Sequence, residues 1–131
     1  MQLTFLKNYA MKRDLTLIRG ILLDIENAPA GQYLQKFEFE GIEQLTIAEH
    51  VDLLIKAGYL EGHITRTFRP IIPNYVVYRM TWAGHEFLAN AKNDTVWKKV
   101  MVQAEEKGMS TSMTILNALL EAAAKKYAGL E

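Results

Sequence analysis

With no cysteine in this 131-residue chain, the three histidines and two serines are the first residues to weigh for a catalytic or metal site. The absence of cysteine excludes disulfides, thiolate nucleophiles and thiolate metal sites outright. His85-Glu86 lacks the second histidine four residues on that a zinc-protease helix requires. His50 and Asp52 are two residues apart, so on a helix they point to different faces. A histidine in that position is expected to sit partly buried and bond a backbone carbonyl. Ser110 and Ser112 stand where a helix starts and read as caps, not as nucleophiles held by a base. No glycine-rich loop follows a strand, so no phosphate cradle is expected. The chain therefore reads as a non-enzyme, with no catalytic residue, metal ligand or cofactor to assign.

Binding chemistry is better represented. Net charge is zero, so no global field draws in nucleic acid or an anionic membrane. The charges are nevertheless sorted along the chain. Residues 1–13 carry Lys7, Lys12 and Arg13 without an acid, and residues 63–82 carry Arg66, Arg69 and Arg79 without an acid. Between them, residues 33–62 hold Glu38, Glu40, Glu43, Glu49, Asp52 and Glu61 against only Lys36 and Lys56. The order is an acidic stretch followed by a basic one.

Periodicity assigns these groups to elements. Asp14 precedes a helical pattern over 14–27, with Leu15, Ile18, Leu22 and Ile25 in a stripe widened by Ile21. Residues 33–40 alternate as a short strand does, and Gly41 turns the chain into at most one helical turn at 42–45. Thr46 and Glu49 form a capping-box pattern that predicts a helix over 46–57, stopped by Gly58. That helix would bury Ile47, Val51, Leu54 and Ile55, and show Ala48, Glu49, Asp52, Leu53 and Lys56 to solvent.

A hairpin over 59–68 and 75–81 follows, with Pro70 and Pro73 confined to its connection because proline cannot donate in a ladder. Thr81 is placed to cap a helix over 82–93. Two further helices are expected at 95–107 and, behind Ser110, at 111–128. Met11 is a second candidate start, with residues 1–10 as an extension. No segment reaches membrane-spanning length and no signal-peptide pattern is present, so the expected setting is cytoplasmic.

Helix, glycine stop, strand, turn, strand and capped helix is the order of the second half of a winged helix-turn-helix. The fold class expected is α+β, mainly helical: a winged-helix core with a short three-stranded sheet and two added C-terminal helices. Its divisions would be an arm at 1–13, the core at 14–93 and a helical extension at 94–131, packed on the core or forming a dimer interface.

Three segments carry a resemblance. They are Met11-Lys12-Arg13-Asp14-Leu15-Thr16-Leu17-Ile18-Arg19, Glu49-His50-Val51-Asp52-Leu53-Leu54-Ile55-Lys56-Ala57-Gly58 and Thr81-Trp82-Ala83-Gly84-His85-Glu86-Phe87-Leu88. Together they resemble a small bacterial and phage family known as a domain of unknown function, with a winged-helix-like core. The resemblance implies that fold and a mobile-element setting, and brings no activity or site residue.

Two functions from different classes follow. In the first, a DNA-binding regulator holds phosphates with a basic wing and arm (Lys12, Arg13, His63, Arg66 and Arg69), while Glu49, Asp52 and Lys56 on the preceding helix make limited base contact. In the second, a winged-helix adaptor binds a protein through that acidic helix. Both are expected to be homodimers without a membrane or cofactor. They part on one point: wing arginines lying against carboxylates would remove the basis of the DNA reading. Trp82, Trp97, Tyr59, Tyr75 and Tyr78 are expected to serve packing before base stacking.

Overall fold

The structure, a computed structural model, describes residues 11–68, 72–108 and 112–130. It is α+β and mainly helical. In order along the chain come α1 (Leu15–Asn27), α2 (Gln44–Lys56), β1 (Leu60–Thr65), β2 (Asn74–Met80), α3 (Trp82–Ala91), α4 (Asp94–Glu106) and α5 (Met113–Tyr127). The chain divides into two compact units between Thr81 and Trp82. Among the described residues no helix is long and apolar enough to cross a membrane.

In the first unit α1 packs on α2 and β2, and α2 packs on both strands. Asp14 caps α1, its Oδ1 accepting from the Leu17 N–H at 3.0 Å. The buried side of α1 is Leu17, Ile18, Ile21 and Leu22, so the stripe is centred a little differently from the one expected. These meet Ile47, Ala48, Val51 and Leu54 of α2 in a core closed by Leu60, Val77 and Met80 of the hairpin.

The sheet departs from expectation. Among the described residues it has two strands, paired antiparallel, and the third strand expected at 33–40 is reduced to one bridge, Leu34 to Val77. Leu34 exchanges both backbone hydrogen bonds with Val77, at 3.0 and 2.8 Å. Side chains then capture the ladder groups farther along. The Phe37 N–H donates to the Tyr75 hydroxyl at 2.8 Å, and the Gln44 side-chain amide donates to the Phe37 carbonyl at 3.1 Å. The Phe37 and Tyr75 rings stack at 5.8 Å. With its backbone groups satisfied in this way, the segment leaves β2 after one residue.

The hairpin contains a bulge. Glu61 faces Arg79 and Gly62 faces Val77, so Tyr78 is the extra residue, and its ring lies 5.0 Å from that of Tyr33. Gly62 is obligatory here: a Cβ would sit 2.5 Å from the Val76 carbonyl oxygen.

The start of α2 also needs correction. It begins at Gln44, two residues before Thr46, and Glu43 at the cap position makes no side-chain cap bond. Of the segment 42–45, Gln44 and Leu45 thus belong to α2, and the Ile47 N–H closes the first turn on the Glu43 carbonyl. Thr46 is inside the helix, and Glu49 is engaged elsewhere. At the other end Gly58, at φ +84°, takes the left-handed conformation expected of it. The Thr81 hydroxyl donates to the Gly58 carbonyl at 2.6 Å, tying the end of β2 to the end of α2.

In the second unit α3, α4 and α5 pack on one another. Asn93 caps α4 by accepting from the Val96 N–H. Ser112 caps α5 by accepting from the Ile115 N–H, so the helix starts at Met113. The cap expected of Ser110 lies outside the described residues. Phe87, Leu88, Val96, Trp97, Val100, Leu116 and Leu120 form the core of this unit.

Candidate functional site

The charged residues singled out in the sequence converge at the junction of α2 and β1. Helical spacing puts Glu49, Asp52, Leu53 and Lys56 near one another on α2, and the chain returns past them through β1. Arg66, one residue beyond β1, lies beside α2 and binds two carboxylates at once. Its Nη2 is 2.5 Å from Glu49 Oε1 and 2.6 Å from Asp52 Oδ2, and its Nη1 donates to Glu49 Oε2 at 3.3 Å. Lys56 Nζ adds a bond to the same Asp52 oxygen at 3.0 Å, across one helical turn.

This network changes the character of each member. The Asp52 side chain is only 10% exposed, against the expectation that it faces solvent. Ala48, also expected outside, is fully buried. The cause is the hairpin, which packs against α2 and covers part of the surface that a lone helix would show. Burial alone would push the Asp52 carboxyl up; the hydrogen bonds and charges of Arg66 and Lys56 outweigh it and hold the carboxyl below the usual carboxylate range. Hydrogen bonds to Glu49 and then Asp52 push the already basic Arg66 guanidinium further up. Two cations and two anions meet within this patch, and its charges cancel.

The other expected contacts are distributed differently. Arg79 is paired with Glu61 across the hairpin. Lys12 and Arg13 precede α1 and are exposed, as is His63 on β1. Arg69 lies outside the described residues. Tyr75 and Trp97 are buried in the cores of their own units, where they serve packing, while Tyr78 and Trp82 are exposed.

His50 has a structural task. It is fully buried, and its Nδ1 lies 2.8 Å from the Thr46 carbonyl while its Nε2 is 2.8 Å from the Asp14 N–H. The Asp14 amide can only donate, so Nε2 accepts and the proton sits on Nδ1, donating to Thr46. One imidazole thereby fastens the capping residue of α1 to the first turn of α2. The carbonyl bond was legible from helix spacing; the bond to Asp14 spans 36 residues and left no sequence signal.

The Arg66 bridge did leave a signal. Opposite charges on consecutive elements that pack together tend to meet, and the acidic-then-basic order along 33–82 contains that information. Among the described residues, no group of three histidine, aspartate or glutamate side chains is placed to hold a metal ion, and no buried side-chain nitrogen or oxygen lacks a hydrogen-bond partner.

Comparison with known proteins gives the lineage. No solved structure matches this chain. An "Uncharacterized protein" of Haemophilus influenzae is 33% identical over 104 residues, covering 79% of this chain and 86% of that protein. Residues 12–110 match the family described as "Hypothetical protein (DUF2513)". That span takes in both the α2–hairpin junction and the Asp14–His50 tie, and the chain belongs to the DUF2513 family.

Proposed function

We infer that this protein is a non-enzymatic docking module that engages a protein partner through the outer face of α2 and the adjoining hairpin. The observation that carries this reading is the state of the cations on α2 and the hairpin. Lys56, Arg66 and Arg79 each bind a carboxylate of the same chain. Binding to a DNA backbone is driven by cations that replace counterions, and its strength follows their number. A patch with no excess positive charge offers no such gain, and a phosphate brought to Arg66 would also meet Glu49 and Asp52. The premise of a DNA-binding wing therefore loses its main support at Arg66.

A winged-helix-like core is part of this proposal. The order α1, a one-residue strand at Leu34, α2, β1 and β2 supports it, with Leu34 on β2 where the first strand of such a core would pair. The usual second helix is compressed into the turn before α2. On α2, Leu53 is 39% exposed and stands between Glu49 and Lys56 at helical spacing. An apolar centre within a charged rim is the composition of a protein-docking patch. A partner bound there, in the cytoplasm and in the mobile-element setting that the resemblance implies, is the working picture. Homodimerisation belongs to the same proposal, supported by the exposed Val102, Ile115 and Tyr127 of the terminal helices.

A gel-shift titration of duplex DNA at two salt concentrations tests the choice. No retardation at low salt is expected. Retardation that weakens steeply with salt, and disappears when Arg66→Glu and Arg69→Glu are combined, would return the protein to the DNA-binding class.

A further inference from the structure

We propose that Glu49 and Asp52 act as a charge latch, holding Arg66 and Lys56 away from phosphate backbones and so keeping this face from binding nucleic acid. This deepens the docking reading and rests on it in one respect, that the unaltered chain ignores duplex DNA. The argument begins with the geometry. Arg66 directs both terminal nitrogens at carboxylate oxygens, with Nη2 shared between Glu49 and Asp52. Its side chain is still 49% exposed, so the guanidinium lies at the surface, where a polyanion could reach it if the carboxylates were absent. Lys56, on the same helix face, is satisfied by Asp52 and is also exposed.

Among the described residues, the side-chain anchors of Arg66 are the two carboxylates of α2. Its backbone lies beyond the end of β1, and the ion pairs to α2 are the side-chain bonds that orient it. Removing both negative charges would leave two surface cations, Lys56 and Arg66, without the carboxylates that hold them. Two such cations replace about two counterions on duplex DNA, so log affinity should fall with log salt with a slope near −1.8. That corresponds to about a tenfold loss between roughly 50 and 200 mM salt. The latch therefore makes a directional claim: neutralising two acids creates an affinity that depends on Arg66.

The test compares the unaltered protein with Glu49→Gln plus Asp52→Asn by fluorescence anisotropy of a labelled duplex. Both glutamine and asparagine keep the size and an acceptor oxygen of the side chain they replace, and a melting curve verifies that the double variant is folded. The expected result is a gain of about tenfold or more in affinity at low salt, lost at high salt as above. Adding Arg66→Gln to that background should remove most of the gain. If Asp52→Asn unfolds the protein, Glu49→Gln alone is used, with a smaller gain in the same direction. A folded variant that binds no better than the unaltered chain overturns the latch and leaves the docking reading intact. Tight, salt-sensitive binding by both proteins alike overturns the latch and the docking reading together.

Discussion

Arg66 Nη2 and Asp52 Oδ2 stand 2.6 Å apart, joining the end of the hairpin's first strand to the helix before it. The pair is half surface and half interior: the arginine side chain is open to water while the carboxylate is nearly covered. That asymmetry decides its energetics. An exposed ion pair contributes about 0–1 kcal/mol, but removing the arginine leaves a largely buried carboxylate with, among the described residues, Lys56 as its remaining cation.

Asp52 should make the protein's stability depend on acid pH in a defined sense. Its folded-state pKa is lowered from the ordinary 3.8, so its contribution is complete above that value and is lost as pH falls through the lower, folded value. Asp52→Asn is expected to cost on the order of 1 kcal/mol at neutral pH, through loss of charge-assisted hydrogen bonds. The two unfolding curves should approach each other in strong acid. Urea melts at a series of pH values measure this, and a constant gap down to the most acidic condition would contradict it.

His50 should matter for stability far more than a helix histidine ordinarily does. His50→Ala removes a buried ring, leaves the Asp14 N–H without its acceptor and breaks the polar tie between the start of α1 and α2. The expected loss is about 2–4 kcal/mol, a fall in melting temperature on the order of 10 °C. His50→Gln keeps a donor and an acceptor on a similar stem and should recover part of the loss. Equal melting of His50→Ala and the unaltered protein would remove the tie from the account of the fold.

Replacing Gly62 by alanine reverses the usual effect of that substitution. Where a glycine's backbone suits any residue, alanine stabilises by about 0.4–1 kcal/mol through the unfolded chain. At Gly62 the obstacle is space: the new Cβ would meet the Val76 carbonyl oxygen at 2.5 Å and the Ile55 side chain at 3.1 Å. Gly62→Ala is expected to destabilise by about 1–3 kcal/mol and to disturb pairing around Tyr78. Thermal melting and backbone amide shifts of 60–65 and 74–80 read both effects. An unchanged melt would mean that the Val76 carbonyl retreats at little cost.

Much of the architecture is legible locally. The stop at Gly58, the strand pair around the proline-marked connection and the Asp14 and Asn93 caps follow from residue type and spacing, because each depends on neighbours within a few positions. The third strand was misread for the opposite reason. Alternation of Tyr33, Phe37 and Phe39 describes a segment able to pair, and whether it does depends on which groups reach its backbone first. Tyr75 and Gln44 do, from 38 and seven residues away. The capping box was misread because a four-residue pattern cannot reveal that Glu49 has a stronger partner 17 positions on.

From the sequence alone come the helical and strand segments, the lack of thiol chemistry, the family and the sorting of charge into an acidic stretch and a basic one. Tertiary structure alone decides what that sorting means. Charges on separate elements read as two faces until the elements pack; once α2 and the hairpin lie side by side, Coulomb attraction joins Arg66 to Glu49 and Asp52 and cancels the surface that each would have presented.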